Sequence, residues 1–203
     1  KNKISSAKNE LITPEKYEMI ASTDFEEKVV SVYKYYQNRL FTGNSVDFDD
    51  LLMLPIKLFN EYPEILKKYQ ERFKYILVDE YQDTNEAQYT LTKMISAKYK
   101  NICVVGDESQ SIYSFRGSNY RNILNFEKDY PNAKVVLLEK NYRSTQTILN
   151  VANDVIKNNK QRKDKNLWTD NEEGSRVKYY RAYDEKDEAF YVMEQIYRLL
   201  NLG

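Results

Sequence analysis

The 203-residue sequence predicts an α/β fold: a parallel sheet preceded by a helical segment. Three observations carry this. Residues 75–78, 102–105 and 135–138 are short apolar runs, each closed by polar or acidic residues. Helical spacing of apolar residues fills the gaps between those runs, the order expected of βαβ units. Residues 1 to about 73 carry helix patterns and caps with no comparable strand run.

In chain order, Pro14 suits the first turn of a helix running toward Ala21. Thr23-Asp24-Phe25-Glu26 has the spacing of a capping box. Phe25, Val29, Val32, Tyr36 and Leu40 then recur at helical spacing, which predicts a helix buried on that face. Phe41-Thr42-Gly43-Asn44 ends it with turn residues. Phe48, Leu51, Leu52 and Phe59 predict another helix, which Pro55 should kink or split. Tyr62-Pro63-Glu64 opens a shorter one carrying Ile65, Leu66, Tyr69 and Phe73.

From Lys74 the strands begin. Leu91, Met94 and Ile95 mark a helix between the first two runs. Ile123, Leu124 and Phe126 mark one between the second and third, ended by the turn Tyr130-Pro131-Asn132. Ser144 is placed to cap a helix reaching about Lys157, with Ile148, Val151 and Val155 on one face. A polar linker at 158–165 and an irregular stretch at 168–174 follow. Residues 177–183 read as a strand, and Asp184 as the cap of a last helix on which Ala189, Met193, Ile196 and Leu200 align.

Composition narrows the chemistry. Apolar residues make up 41% and charged residues 31%, enough to build a core. Lys and Arg number 31 against 31 Asp and Glu, so any nucleic-acid contact rests on local patches. The lack of histidine excludes His-ligated zinc and Ser-His-Asp catalysis. One cysteine, Cys103, excludes an internal disulfide and fits a reducing cytosol. No apolar run approaches the roughly 20 residues of a membrane span, and the start, Lys1-Asn2-Lys3-Ile4, lacks the apolar core of a signal peptide.

Right-handed crossovers bring the carboxyl ends of parallel strands to one edge, where ligands of open α/β sheets bind. Asp79, Glu80, Gln82, Asp107, Gln110, Glu139, Tyr142 and Arg143 collect there. Asp79 is suited to a metal ion and Glu80 to orienting an attacking water. Gln110 offers an amide to water and γ-phosphate, Arg143 a cation for developing charge, and Tyr142 a ring for a purine. The second run continues into Gly106-Asp107-Glu108-Ser109-Gln110-Ser111-Ile112-Tyr113-Ser114-Phe115-Arg116-Gly117. There Tyr113, Phe115 and Arg116 either stack on and grip single-stranded nucleic acid or pin the loop to the core. None of the five glycines heads a G-x-x-x-x-G-K-[ST] phosphate loop, so this chain alone is not expected to hold a nucleotide tightly.

At these residues the sequence resembles the UvrD/PcrA/Rep-type superfamily 1 DNA helicases. The matching strings are Val78-Asp79-Glu80-Tyr81-Gln82-Asp83-Thr84-Asn85, residues 105–117, and Leu138-Glu139-Lys140-Asn141-Tyr142-Arg143-Ser144-Thr145. Ser6-Ala7-Lys8-Asn9 and Asp47-Phe48-Asp49-Asp50-Leu51-Leu52 also resemble family segments. The resemblance covers nearly the whole chain.

It implies a partial RecA-like P-loop NTPase sheet and an ATP-driven motor moving 3′ to 5′ on single-stranded DNA, using Mg²⁺. Asp79 and Glu80 would be the magnesium and water-activating acids, Gln110 the γ-phosphate sensor, Arg143 the arginine finger and Tyr142 the adenine stack. Tyr113, Phe115 and Arg116 would contact single-stranded DNA, with Phe115 where tryptophan is common, and Ser109 departs from a frequent Asp. The family's phosphate loop would lie upstream and its later arginine motif downstream. On that pattern residues 1–73 end the helical insertion 1B and return into motor domain 1A, 74–141 form the second half of 1A, and 142–203 begin motor domain 2A. The implied setting is the bacterial cytoplasm and nucleoid, in repair or replication. Implied partners are single-stranded DNA, single-strand/duplex junctions and repair or replication proteins, with no membrane. The motor subunit of a recombination helicase–nuclease, and a non-catalytic DNA- or partner-binding module, are the alternatives.

Overall fold

The computed structural model describes residues 2–160 and 162–201, with Arg116 described in its backbone only. The chain divides into two compact units, residues 1–134 and 135–203.

The first unit opens with α1 (Asn2–Asn9), α2 (Pro14–Ile20) and α3 (Asp24–Thr42). Thr13 caps α2, its hydroxyl accepting from Lys16 N–H, with Pro14 in the first turn. Thr23 caps α3 by accepting from Glu26 N–H, but Glu26 turns back to Ser22 N–H (2.9 Å), one residue before the position a capping box requires. Gly43 caps the far end, and Asn44 follows at φ 47°.

Ile4, Ala7, Tyr17, Val30 and Tyr33 form the core of these helices. Tyr33 meets Tyr17 edge to face and donates its hydroxyl to the Ile12 carbonyl at 3.0 Å. The buried stripe of α3 is therefore Val30 and Tyr33, while Phe25 and Val32 of the predicted face are exposed. This helix has apolar residues on more than one stripe, and spacing alone does not say which meets a neighbour.

Next come α4 (Asp50–Glu61) and α5 (Pro63–Arg72). A single helix runs through Pro55, so of the kink or split expected there the split does not occur. The ring costs only the bond to the Leu51 carbonyl, close to the start of α4. α4, α5 and α6 (Glu86–Ser96) pack together, burying Ile56 and Phe59, with Tyr69 against both Phe59 and Phe73.

Two parallel strands, β1 (Ile76–Val78) and β2 (Ile102–Val104), pair in the register Val78↔Val104. Crossover through α6 makes this a βαβ unit. Asn85 and Gln88 form a reciprocal capping box at the start of α6. One face of the pair is open: Leu77 is 79% exposed and Cys103 is exposed. Among the described residues, nothing covers that face. α7 (Arg121–Asp129) packs on the turn after β1, placing Phe126 edge to face against the buried Tyr81. Tyr89 and Lys93 of α6 both engage Asp129, which closes α6 onto α7.

The second unit contains α8 (Gln146–Ile156) and α9 (Glu185–Asn201). Thr145, not Ser144, takes the cap position of α8, because the Asn141 carboxamide oxygen accepts from the N–H groups of both Arg143 (2.9 Å) and Ser144 (2.8 Å). The buried residue of α8 is Leu149, whereas Ile148, Val151 and Val155 are exposed. Asp184 caps α9 as predicted, accepting from Lys186 and Asp187 N–H. The predicted face of α9 buries nothing among the described residues.

Residues 135–138 and 177–183 are not strands: neither has a strand partner among the described residues, an isolated parallel bridge, Lys140↔Trp168, following two residues after the first. A strand is defined by its neighbour, and these apolar runs have none to pair with here.

Candidate nucleotide and nucleic-acid site

The site in the first unit starts from the ends of β1 and β2. Val105 N–H donates to the Val78 carbonyl and Tyr81 N–H to the Val105 carbonyl, holding the two ends side by side. Directly after β1, Asp79 Oδ1 accepts the N–H of Glu80 at 2.9 Å. Glu80 adopts the left-handed conformation, φ 50° and ψ 42°. A non-glycine residue there is uncommon, and such conformations gather at functional sites. The bend throws Tyr81–Asp83 into a short 3-10 turn and buries Tyr81 and Gln82. Burial pushes the Tyr81 phenol well above its ordinary range, so it stays neutral in the core.

A continuous hydrogen-bond path crosses the strand ends. Gln82 Nε2 donates to Glu80 Oε2 at 2.7 Å, and Gln82 Oε1 accepts Asp107 N–H at 3.0 Å. Asp107 Oδ2 then accepts from Gln110 Nε2 at 2.9 Å. Gly106 is needed at the crossing: a Cβ there would stand 2.5 Å from Gln82 Oε1 and 2.9 Å from Ile123 Cδ1. Glu80, Asp107 and Gln110, singled out from the sequence, are thus joined through Gln82. Sequence reasoning had counted Gln82 only as one polar group among several. Ser109, where the family often has Asp, buries its hydroxyl oxygen without a partner among the described residues.

The loop after β2 carries the aromatic pair. Tyr113 and Phe115 have ring centroids 6.1 Å apart, and Phe115 is 76% exposed. That exposure fits a ring offered to a base better than one pinning the loop to the core. The Arg116 side chain lies outside the described residues. Gly117 ends the loop at φ 88°, with its missing Cβ facing Asn9 of α1 at 3.4 Å. Asn9 also accepts from Asn85 Nδ2 at 2.9 Å, so α1 touches both the acidic segment and the aromatic loop. Asn122 Nδ2 bonds the carbonyl and hydroxyl of Thr84 at 3.1 Å each, tying α7 to the same segment. Sequence reasoning did not identify Asn122, and a polar residue inside a helix pattern gives no signal of such a bond.

Tyr142 and Arg143 belong to the second unit, where both are exposed. Lys140 Nζ lies 5.3 Å from the Tyr142 ring centroid and 5.0 Å from that of Trp168. Its hydrogen bond to Asp170 holds the ammonium above its ordinary pKa.

Among the described residues no cluster of three or more carboxylates and thiols forms a closed metal cage. A Mg²⁺ site of one or two carboxylates completed by water and substrate phosphates does not need one. Asp79 fits that requirement: one oxygen is fixed by Glu80 N–H, and no hydrogen bond among the described residues engages the other. No helix among the described residues is long and apolar enough to cross a membrane.

Comparison with known proteins identifies the family of the chain. The UvrD/REP helicase N-terminal domain matches residues 1–131, and the UvrD-like helicase C-terminal domain matches residues 136–202. The chain is 54% identical over 200 residues to the ATP-dependent DNA helicase PcrA of Bacillus subtilis (strain 168), covering 98% of this chain and 27% of that protein. It is 55% identical over 193 residues to PcrA of Staphylococcus epidermidis and 54% identical to PcrA of Staphylococcus aureus, covering 95% of this chain and 26% of each relative. The chain thus spans about a quarter of the length of these relatives. With a family match across well over half its length, the chain belongs to the UvrD/REP helicase family.

Proposed function

We propose that this chain is the central part of an ATP-dependent DNA helicase that moves 3′ to 5′ on single-stranded DNA and serves repair or replication in bacteria. The observation that carries the reading is the path Glu80–Gln82–Asp107–Gln110 across two parallel strand ends, with exposed aromatic rings in the loop it enters. One side of that loop faces nucleotide chemistry and the other suits stacked bases.

Glu80 holds the attacking water and takes its proton. Gln110 presents its amide to the water and the γ-phosphate. Asp79 would hold Mg²⁺, which when bound neutralises charge on the phosphates. Arg143 and Tyr142, in the second unit, take charge stabilisation and adenine stacking as their roles. Tyr113, Phe115 and Arg116 grip the strand. Residues 74–141 then contribute to one RecA-like motor domain, following the end of a helical insertion within 1–73, and residues 142–203 begin another. Single-strand/duplex junctions and repair or replication proteins are the proposed partners.

The test is Glu80→Gln in the full-length helicase. Turnover of ATP should be abolished while nucleotide binding is retained; normal turnover would overturn the assignment. The 203-residue chain by itself contains no G-x-x-x-x-G-K-[ST] sequence and should show negligible ATP hydrolysis with or without DNA.

A further inference from the structure

We propose that Gln82 is a positioning residue for hydrolysis: its carboxamide fixes the direction of the Glu80 carboxylate and ties it to the loop after β2. The proposal rests on the reading of Glu80 as the acid that activates water.

Gln82 is 1% exposed, so its polar groups cannot exchange these contacts for bulk water. Chemistry fixes the orientation of the amide. Glu80 Oε2, as a carboxylate, only accepts, so it takes the NH₂ group at 2.7 Å. The backbone N–H of Asp107 only donates, so it takes the carbonyl oxygen at 3.0 Å. A flipped amide would lose both bonds. The backbone carbonyl of Gln82 is also held, accepting from Ser111 Oγ at 3.2 Å. The amide is therefore gripped from the loop after β2 on one side and aimed at Glu80 on the other.

Glu80 needs such a holder. Its backbone sits in the left-handed region, which a non-glycine residue keeps only where its surroundings hold it. A general base works only when its oxygen is held at hydrogen-bond distance from the proton it removes. Gly106 leaves space for the Gln82 amide that any other residue would fill, with a Cβ only 2.5 Å from Oε1. The backbone just after β2 is thus shaped around this side chain. The same amide oxygen and the Ser111 contact reach the segment leading to Tyr113 and Phe115, so loop position and carboxylate direction are mechanically joined.

Gln82→Glu in the full-length helicase is the discriminating variant. It preserves the size of the side chain and an oxygen for Asp107 N–H, but sets a carboxylate oxygen against Glu80. The expected result is a fall in kcat of roughly ten- to a hundred-fold. KM for ATP and affinity for a non-hydrolysable ATP analogue should stay within about two-fold of wild type, since ground-state binding is untouched. A kcat within about two-fold of wild type would overturn the proposal. So would a parallel loss of analogue binding, which would mark a general structural role.

The exchanged pair Glu80→Gln with Gln82→Glu restores one donor facing one carboxylate. It should return the unfolding midpoint toward that of wild type while remaining inactive. An exchanged pair no more stable than Gln82→Glu alone would also count against a direct Glu80–Gln82 bond. If Glu80→Gln alone hydrolyses ATP normally, the reading of Glu80 fails and this proposal falls with it. If that variant is inactive and Gln82→Glu is not, only the Gln82 proposal falls.

Discussion

Phe115 shows how a single side chain separates a structural from a functional reading. At 76% exposure most of its ring is open to solvent, and it lies against the Tyr113 ring. If the two rings stack on bases, Tyr113→Ala and Phe115→Ala should each weaken single-stranded DNA binding of the full-length helicase by about 1–3 kcal/mol. Unchanged affinity in a DNA titration would return both rings to a role in the loop itself. Asp79 and Glu80 were legible because an apolar run that stops at two adjacent acids is a chain-local pattern. The part played by Gln82 was not, since its partner Asp107 lies 25 residues away and is reached only through the register of β1 on β2. Register is a tertiary property, set by which carbonyl meets which N–H.

At the scale of elements, the joint between α1, α3 and α4 is ionic. Lys8 is wholly buried and bonds Asp47 at 2.6 Å and Asp50 at 2.8 Å. Gln37 donates to Asp50 and Tyr36 to Asp47, so the carboxylates are hydrogen-bonded as well as paired. Removing the cation alone would strand two acids in a closed space. Lys8→Met should therefore destabilise the chain by about 3–5 kcal/mol, read from urea unfolding midpoints. Burial opposes charge on Asp47, but bonds from Lys8, Asp50 N–H and Tyr36 outweigh it and hold its carboxyl below the usual carboxylate range. A depressed folded pKa stabilises above the unfolded value and is lost as pH falls through the folded one. The Asp47 contribution should be complete above about pH 4 and fade below it, seen as an acid-side loss of stability that Asp47→Asn lacks. Helix starts at Pro14, Thr23 and Asp184 were legible because caps act through the next few residues. The buried faces of α3 and α8 were not: both carry several apolar stripes, and the neighbour decides which is used.

Across the whole molecule, the same kind of sequence has two fates. Residues 76–78 and 102–104 are apolar runs that found each other, close in sequence and linked by α6. Residues 135–138 are as apolar and end in an acid in the same way, yet Val136 is 64% and Leu138 72% exposed. Residues 177–183 repeat this, with Tyr179 at 87% and Tyr183 at 95%. The difference is pairing rather than propensity, since a lone strand leaves its N–H and C=O groups to water. Hydrogen exchange on the 203-residue chain should show this directly. Amides of β1 and β2 that donate across the pair should be protected, while those of 135–138 and 177–183 exchange at nearly unprotected rates. In the full-length helicase, the latter two segments should gain protection, because the continuous apolar run of 135–138 and the apolar and aromatic residues of 177–183 suit strands once neighbours are present to pair with them. Protection of residues 135–138 in the short chain equal to that of β1 would instead show that the run pairs without help, and that its fate was written locally after all.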